Sequence, residues 1–376
     1  MISSPLLYIV SLVFIAAFFT LLEKKTKLKF FEYLPPVVLI YALSMLLAGY
    51  GVFEANESIN KAYTLAKTNL LPAMLFLMLL KIDFSHFLKL GKKLLLAYAL
   101  TVLSLAVGFI SVSILFHFNH TMAVAFGALV GSWFGGTANM IAVGSALGVT
   151  QESYGFVLIV DSVNYTFWVM LLLFLVPFAP IFDKFVGATK REINSLNTEY
   201  TSNKGAKKYL LLTLIAIVAS LLTQEIALHV EFINATTLSV VLATSLGVLG
   251  SFTKLRSLNG SSEVASFMLY VLIALIGSKA VFESFSAVGI YVFAGFMILV
   301  IHAIFMVVSA KIFKLDLFSI TVASLANIGG VASAPILAAA YNKSLVSVGV
   351  LMAVMGYLIG TFGGIFIGHI MIGLAQ

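Results

Sequence analysis

GSWFGGTANM (residues 131–140) sits inside an apolar run long enough to cross a membrane, yet it is poor material for the middle of a membrane helix. Two adjacent glycines, Gly135 and Gly136, are followed by Thr137 and Asn139. Glycine readily adopts the left-handed backbone that interrupts a helix. Lipid offers no hydrogen bonds to the groups such an interruption frees, so irregular backbone survives there only when buried in protein or lining a wet cavity. The stretch therefore predicts an unwound segment, kept either for close helix packing through small residues or for binding.

A second stretch has the same make. ANIGGVASAPILAAAYN (326–342) parallels SWFGGTANMIAVGSALG (132–148), with Asn327, Gly329, Gly330 and Ser333 around its own glycine pair. The flanks echo one another too. LPAMLFLMLLKIDFSHF (71–87) parallels ASFMLYVLIALIGSKAVFESF (265–285), and residues 31–52 parallel residues 230–252. Chance likeness between greasy segments explains the apolar matches but not two glycine pairs in mid-span. The expectation is an internal repeat: residues 1–182, with a broken helix over 121–148, and residues 208–376, with a broken helix over 317–342. DKFVGATKREINSLNTEYTSNKGAKK (183–208) carries nine charged residues without apolar periodicity, so 183–207 reads as a polar linker.

Composition fixes the class. Of 376 residues, 61% are hydrophobic and 10% charged, against roughly 25% charged in a soluble domain, so the chain belongs in a membrane. The net charge of +7 comes from lysines in short loops beside apolar spans, where positive charge marks the cytoplasmic face, and not from a nucleic-acid surface. The chain has no cysteine, which excludes disulfides, thiolate metal sites and thiol catalysis. The N-terminus lacks a basic n-region, so its first apolar run reads as a retained span.

Twelve runs approach the roughly 20 residues a span needs. Basic residues follow spans one and three in the first half (Lys24, Lys25, Lys27 and Lys29; Lys81, Lys89, Lys92 and Lys93). In the second half they precede span seven and follow spans eight and ten (Lys254 and Arg256; Lys311 and Lys314). The charge has moved to the opposite ends of the repeat unit, as inverted topology requires. Two sets of six spans would leave the repeats parallel, so an inverted pair needs an odd offset and about 11–13 transmembrane segments. The fold expected is an all-α polytopic membrane protein with two inverted repeats and crossing broken helices.

Asp161, in DSVNYTFW, falls well inside the span after the first glycine pair. A carboxylate at such depth costs ~2.5–3.5 kcal/mol on insertion scales, which makes it a functional hypothesis by default. Ser162 and Asn164 stand beside it, and helical spacing puts Asp161, Asn164 and Tyr165 on one face, which offers oxygens suited to Na⁺, or an acid that can load a proton. By the spacing of the glycine pairs its counterpart in the second half is Met355, so one coupling site is expected, not two. His302 could partner Asp161, relay protons or simply pack. Lys279 and Lys81 are expected to snorkel to the interface. Thr361 and Ser324 either back-bond to their own helices or line the cavity, and Trp133 and Trp168 read as packing, Trp133 also as a wall of a pocket.

Together GSWFGGTANMIAV, VDSVNYTFW, SLANIGGVASAPILAAA and GYLIGTFGG resemble the YjcL-like family of membrane proteins across essentially the whole chain. That family is grouped with the cation–proton antiporters and anion transporters, including bile-acid and 2-keto-sugar-acid carriers. The resemblance implies crossing broken helices in a mobile core, a dimerising scaffold, elevator-like transport and a place in the bacterial inner membrane. Antiporters of that superfamily carry a second acid or basic partner beside the essential acid. Ser162 stands there instead, which leans toward ion-coupled solute transport.

The function expected is a secondary transporter of a small anionic organic solute coupled to Na⁺ or H⁺. Gly135, Gly136, Thr137, Asn139, Asn327, Gly329, Gly330 and Ser333 would bind the solute. Asp161, Ser162 and Asn164 would couple the ion, Asp161 as ligand if that ion is Na⁺. The rival in the same class is a cation/proton antiporter without organic substrate. An intramembrane enzyme would want paired membrane aspartates, a Ser/His dyad or H-E-x-x-H, and none stands out. No other cofactor is expected; the partners expected are the solute or ion, membrane lipids and a second copy in a homodimer.

Overall fold

The computed structural model describes residues 1–26, 36–80, 90–188, 206–230, 235–258, 260–280, 288–342 and 345–375. The basic positions Lys27, Lys29, Lys81 and Lys89, the amphipathic pieces at 82–87 and 281–285, and most of the linker (189–205) lie outside the described residues. The described chain is helical, with an isolated bridge between Ile2 and Phe53 and no strand.

The helices in order are α1 (Pro5–Thr26), α2 (Pro36–Gly49), α3 (Glu57–Leu79), α4 (Lys92–Leu115), α5 (His120–Gly135), α6 (Thr137–Leu147), α7 (Gln151–Leu175) and α8 (Ala179–Val186). They continue with α9 (Ala206–Leu228), α10 (Ala235–Ser251), α11 (Ser261–Gly277), α12 (Val288–Phe313), α13 (Leu317–Ile328), α14 (Gly330–Tyr341) and α15 (Val346–Leu374). About 11–13 transmembrane segments were expected. Among the described residues, seven helices are long and apolar enough to cross a membrane, while α2, α6, α10, α11 and α13 are apolar but only 10–17 residues long. Glycine explains part of the difference, because residues 121–148 and 317–342 each hold two helices. The class that results is an all-α polytopic membrane protein.

Contacts divide the chain into two compact units. The first comprises Met1–Lys81, Gly148–Ser162 and Ser202–Val288. Helix α3 is its axis, packed by α9, α10 and α11, with α11 also against α1 and α2. Small residues let the backbones meet: a Cβ on Gly247 would stand 2.8 Å from the carbonyl oxygen of Phe76, and one on Gly277 2.6 Å from that of Tyr41. Hydrogen bonds tie the same helices. Ser220 Oγ donates to Asn69 O (2.8 Å) and Gln224 Nε2 to Asn69 Oδ1 (3.2 Å). Ser278 spends its hydroxyl proton on Leu275 O, so Tyr8 OH donates to Ser278 Oγ at 2.5 Å.

The second unit comprises Ile82–Leu147, Val163–Thr201 and Gly289–Gln376. Helix α15 is its axis and packs along α5, α6, α13, α14 and α4. Each unit draws segments from both halves of the chain, so the repeat halves expected from sequence follow chain order, whereas the units follow packing.

Candidate functional site: two helix interruptions in one unit

Both glycine pairs lie in the second unit, and each is approached by a capped helix. Asn119 Oδ1 accepts from Met122 N (2.9 Å) at the start of α5, and Asp316 Oδ1 accepts from Ser319 N (2.7 Å) at the start of α13. Such caps satisfy backbone donors that a helix start leaves unpaired. In each pair the second glycine takes the left-handed backbone, with φ of 84° at Gly136 and 60° at Gly330. That conformation costs an L side chain roughly 1–2 kcal/mol, which accounts for glycine at these two positions.

Around the first interruption the Asn139 amide is bonded at both ends and the turn is closed by backbone hydrogen bonds, while Thr137, half-buried, starts α6. Gly136 N donates to Ser132 O at 2.5 Å, and the chain restarts with Asn139 N on Gly136 O at 2.9 Å. Asn139, 2% exposed, donates from Nδ2 to Gly135 O (2.7 Å) and accepts at Oδ1 from Thr361 Oγ1 (2.6 Å). Thr361 was expected to back-bond or to line a cavity; it does neither and braces Asn139. Backbone contact explains the first glycine. Gly127, Gly131 and Gly135 recur every fourth residue on α5, and Gly356, Gly360, Gly364 and Gly368 do so on α15. A Cβ on Gly364 would stand 3.1 Å from Gly131 Cα, and one on Gly360 2.9 Å from Gly135 Cα. A Cβ on Gly135 would collide with Gly356 O and Asn139 Nδ2. Small residues four apart on both helices are what close backbone packing requires. The packing explanation thus holds for Gly135, and the dihedral one for Gly136. On its other side Gly136 looks toward the Tyr357 ring, 3.9 Å from where a Cβ would be.

The second interruption is built alike but left open. Asn327, fully buried, donates from Nδ2 to Ala323 O (3.0 Å), which fixes the amide with Oδ1 as its remaining group. That Oδ1 has no hydrogen-bond partner, and neither has the Oγ of Ser333, 2% exposed, on the first turn of α14. Gly329 is the N-cap of α14 and brings no side chain to cap it. Gly330 is buried, yet apart from its own turn no heavy atom lies within 4 Å of where a Cβ would project. The Tyr165 ring borders the site, with Cε2 2.6 Å from the Cβ position of Gly329. Each unmet buried polar group costs roughly 1–3 kcal/mol. Among the described residues four other buried hydroxyls are likewise unpartnered (Ser44, Tyr98, Ser261 and Ser319), and Asn327 is the one amide in the set.

A reciprocity links the pair. Tyr165, on the helix that follows the first interruption, borders the second. Tyr357, on the helix that follows the second, borders the first.

Helix α13 is itself firmly held. Ser104 Oγ gives its proton to Thr101 O (2.7 Å), so it accepts from His302 Nδ1 at 2.6 Å. With a neutral ring, His302 Nε2 then accepts from Ser324 Oγ (2.8 Å), which in turn accepts from Trp168 Nε1 (2.8 Å). One directed chain therefore joins α7, α13, α12 and α4. His302 is a packed histidine bonded at both nitrogens, to Ser104 and Ser324, and Trp168 bonds in turn to Ser324. A mostly apolar cavity of about 390 Å³, lined in part by Trp168, His302, Met306 and Ser324, lies beside this chain. Trp133 is buried edge-on against Phe109, with ring centroids 5.4 Å apart.

The residues expected to couple an ion stand on α7. Asp161 and Ser162 are half-buried and belong to the first unit, while Asn164 is buried in the second and donates from Nδ2 to Val292 O (3.2 Å). Among the described residues no three His, Asp or Glu side chains gather as metal ligands do. Lys279 does not simply snorkel: Nζ donates to Asn60 Oδ1 (2.7 Å) and lies near the Tyr8 and Tyr63 rings, and partial burial lowers its pKa from the usual lysine value. The residues whose places sequence reading missed are the α15 glycines as the seat of the first interruption, Thr361 as its brace, Tyr357 beside the first interruption, and Tyr165, which was expected on the ion-binding face and borders the second interruption. The four-residue glycine spacing was the available signal for the first.

The chain belongs to the family described as "Protein of unknown function (DUF819)", whose model matches residues 10–374. No curated protein matches the sequence.

Proposed function

We propose, with membership of that family as premise, that the protein is an ion-coupled secondary transporter of a small anionic organic solute. The solute binds at the helix interruptions, chiefly at Asn327–Ser333, and Na⁺ or H⁺ binds around Asp161. The observation that carries this reading is the pair of unpartnered buried polar atoms, Asn327 Oδ1 and Ser333 Oγ, flanking an interruption inside a membrane helix unit. A packing device has no use for unmet polar groups, whereas a ligand supplies their partners. The reciprocal placement of Tyr165 and Tyr357 supports inverted repeats with crossing broken helices. The YjcL-like placement among antiporters and anion carriers, elevator motion, a homodimer and the bacterial inner membrane belong to the same proposal.

A thermal-shift titration tests it, with NaCl against choline chloride at fixed ionic strength, on the wild type and Asp161→Asn. Stabilisation by Na⁺ that vanishes in the variant establishes sodium linkage. A pH-dependent shift lost in the variant establishes proton coupling. If neither ion moves the wild type and the variant behaves identically, ion coupling through Asp161 is wrong.

A further inference from the structure

The second interruption presents two opposite demands within seven residues. Asn327 Oδ1 can only accept, and it is fixed that way because Nδ2 is committed to Ala323 O. A ligand must therefore bring a hydrogen-bond donor to it. The start of α14, by contrast, presents backbone N–H groups and the positive end of a helix dipole, with a glycine at the cap and no side-chain hydrogen bond capping it. A ligand must bring an acceptor, best a negative one, to that end. Ser333 Oγ serves either need, since a hydroxyl both gives and accepts. The helix is 12 residues long, and the empty direction at buried Gly330 provides room.

We infer that the ligand of this site is a small carboxylate carrying a hydrogen-bond donor on the adjacent carbon, a 2-hydroxy or 2-amino acid. Its carboxylate meets the first turn of α14, and its hydroxyl or ammonium meets Asn327 Oδ1. A plain carboxylate would satisfy the helix start but leave Asn327 unmet. A bare cation would satisfy Asn327 and be repelled by the helix dipole. The first interruption makes no such demand, because Asn139 already has both partners. The inference deepens the transporter reading and rests on it for the ligand's destination.

The test is binding to the full-length protein in lipid nanodiscs, with three acids on one three-carbon skeleton: propionate, L-lactate and L-alanine. Lactate or alanine binding about tenfold or more tightly than propionate is expected, the scale of one buried hydrogen bond. Asn327→Ala should erase that preference, whereas Ser333→Ala should weaken the binding of all three acids. The better of lactate and alanine identifies the donor as hydroxyl or ammonium. Propionate binding as tightly as both others overturns the inference, and propionate flux into proteoliposomes would then leave the transporter reading standing. If no acid binds while an Asp161-dependent ion shift persists, the inference is overturned and ion coupling survives it.

Discussion

The two interruptions share a glycine pair, a left-handed second glycine and an Asx-capped approach helix, yet they differ in how their polar groups end. At the first, Asn139 bonds to Gly135 O and Thr361, and α15 presses its glycine row against the same turn. At the second, Asn327 and Ser333 each keep an unmet atom, and Gly330 faces empty space. Two breaks of one design therefore end differently: one is a packed joint, the other keeps unmet polar atoms beside open space. A symmetric site with equal contributions from both pairs is not what this hydrogen bonding favours.

The sharpest way to break the comparison is through glycine itself. Gly360→Leu drives a side chain into Asn139 and Gly135, and an overpacked joint of this kind should lose about 3 kcal/mol or more, read as a large fall in Tm and poor recovery of folded protein. Gly330→Ala meets only dihedral strain and should lose about 1–2 kcal/mol. Equal losses at the two sites would mean that the second break is as tightly packed as the first.

His302→Phe should cost about 2–3 kcal/mol in thermal unfolding, because it leaves Ser104 and Ser324 without their buried partner. A negligible loss would mean that α13 is loosely held, and the openness at Asn327 would then reflect slack, not design.

The amides make a subtler pair. Asn139→Ala strands Thr361 and Gly135 O and should lose about 1–3 kcal/mol, whereas Asn327→Ala removes an already unmet acceptor and should lose less than half as much. Comparing the two Tm values checks it, and the reverse order would sink the distinction between the interruptions.

Lys279, remote in sequence from both interruptions, provides a small control. Its depressed pKa means that in the pH window below the ordinary lysine value the unfolded chain binds more protons than the folded one, so stability rises with pH there. Lys279→Met should flatten that rise slightly. An unchanged slope would show that the partial burial of the ammonium is without consequence.

Much of this was legible in residues alone. Gly135, Gly136, Gly329 and Gly330 announced both interruptions because backbone freedom is a property of the residue. Asp161 stood out because a charge in an apolar run needs no neighbour to be seen. His302 was ambiguous, since a lone histidine in a span serves a relay or a lattice of hydrogen bonds equally well. Tyr165 was legible only as a neighbour of Asp161 on one helix face, and Tyr357 was silent, because an aromatic in a membrane helix carries no mark of what it borders. The glycine pairs divide two of the twelve apolar runs into two helices each, and among the described residues five apolar helices are shorter than a full span.

The sequence by itself determined the membrane class, the helical architecture and the positions of the two breaks, because hydropathy and dihedral freedom are local properties. Only the tertiary structure decided which break is closed and which is open. Satisfaction of a buried polar atom depends on a partner that packing supplies, and Asn139 finds its own 222 residues away in Thr361, while Asn327 Oδ1 finds none.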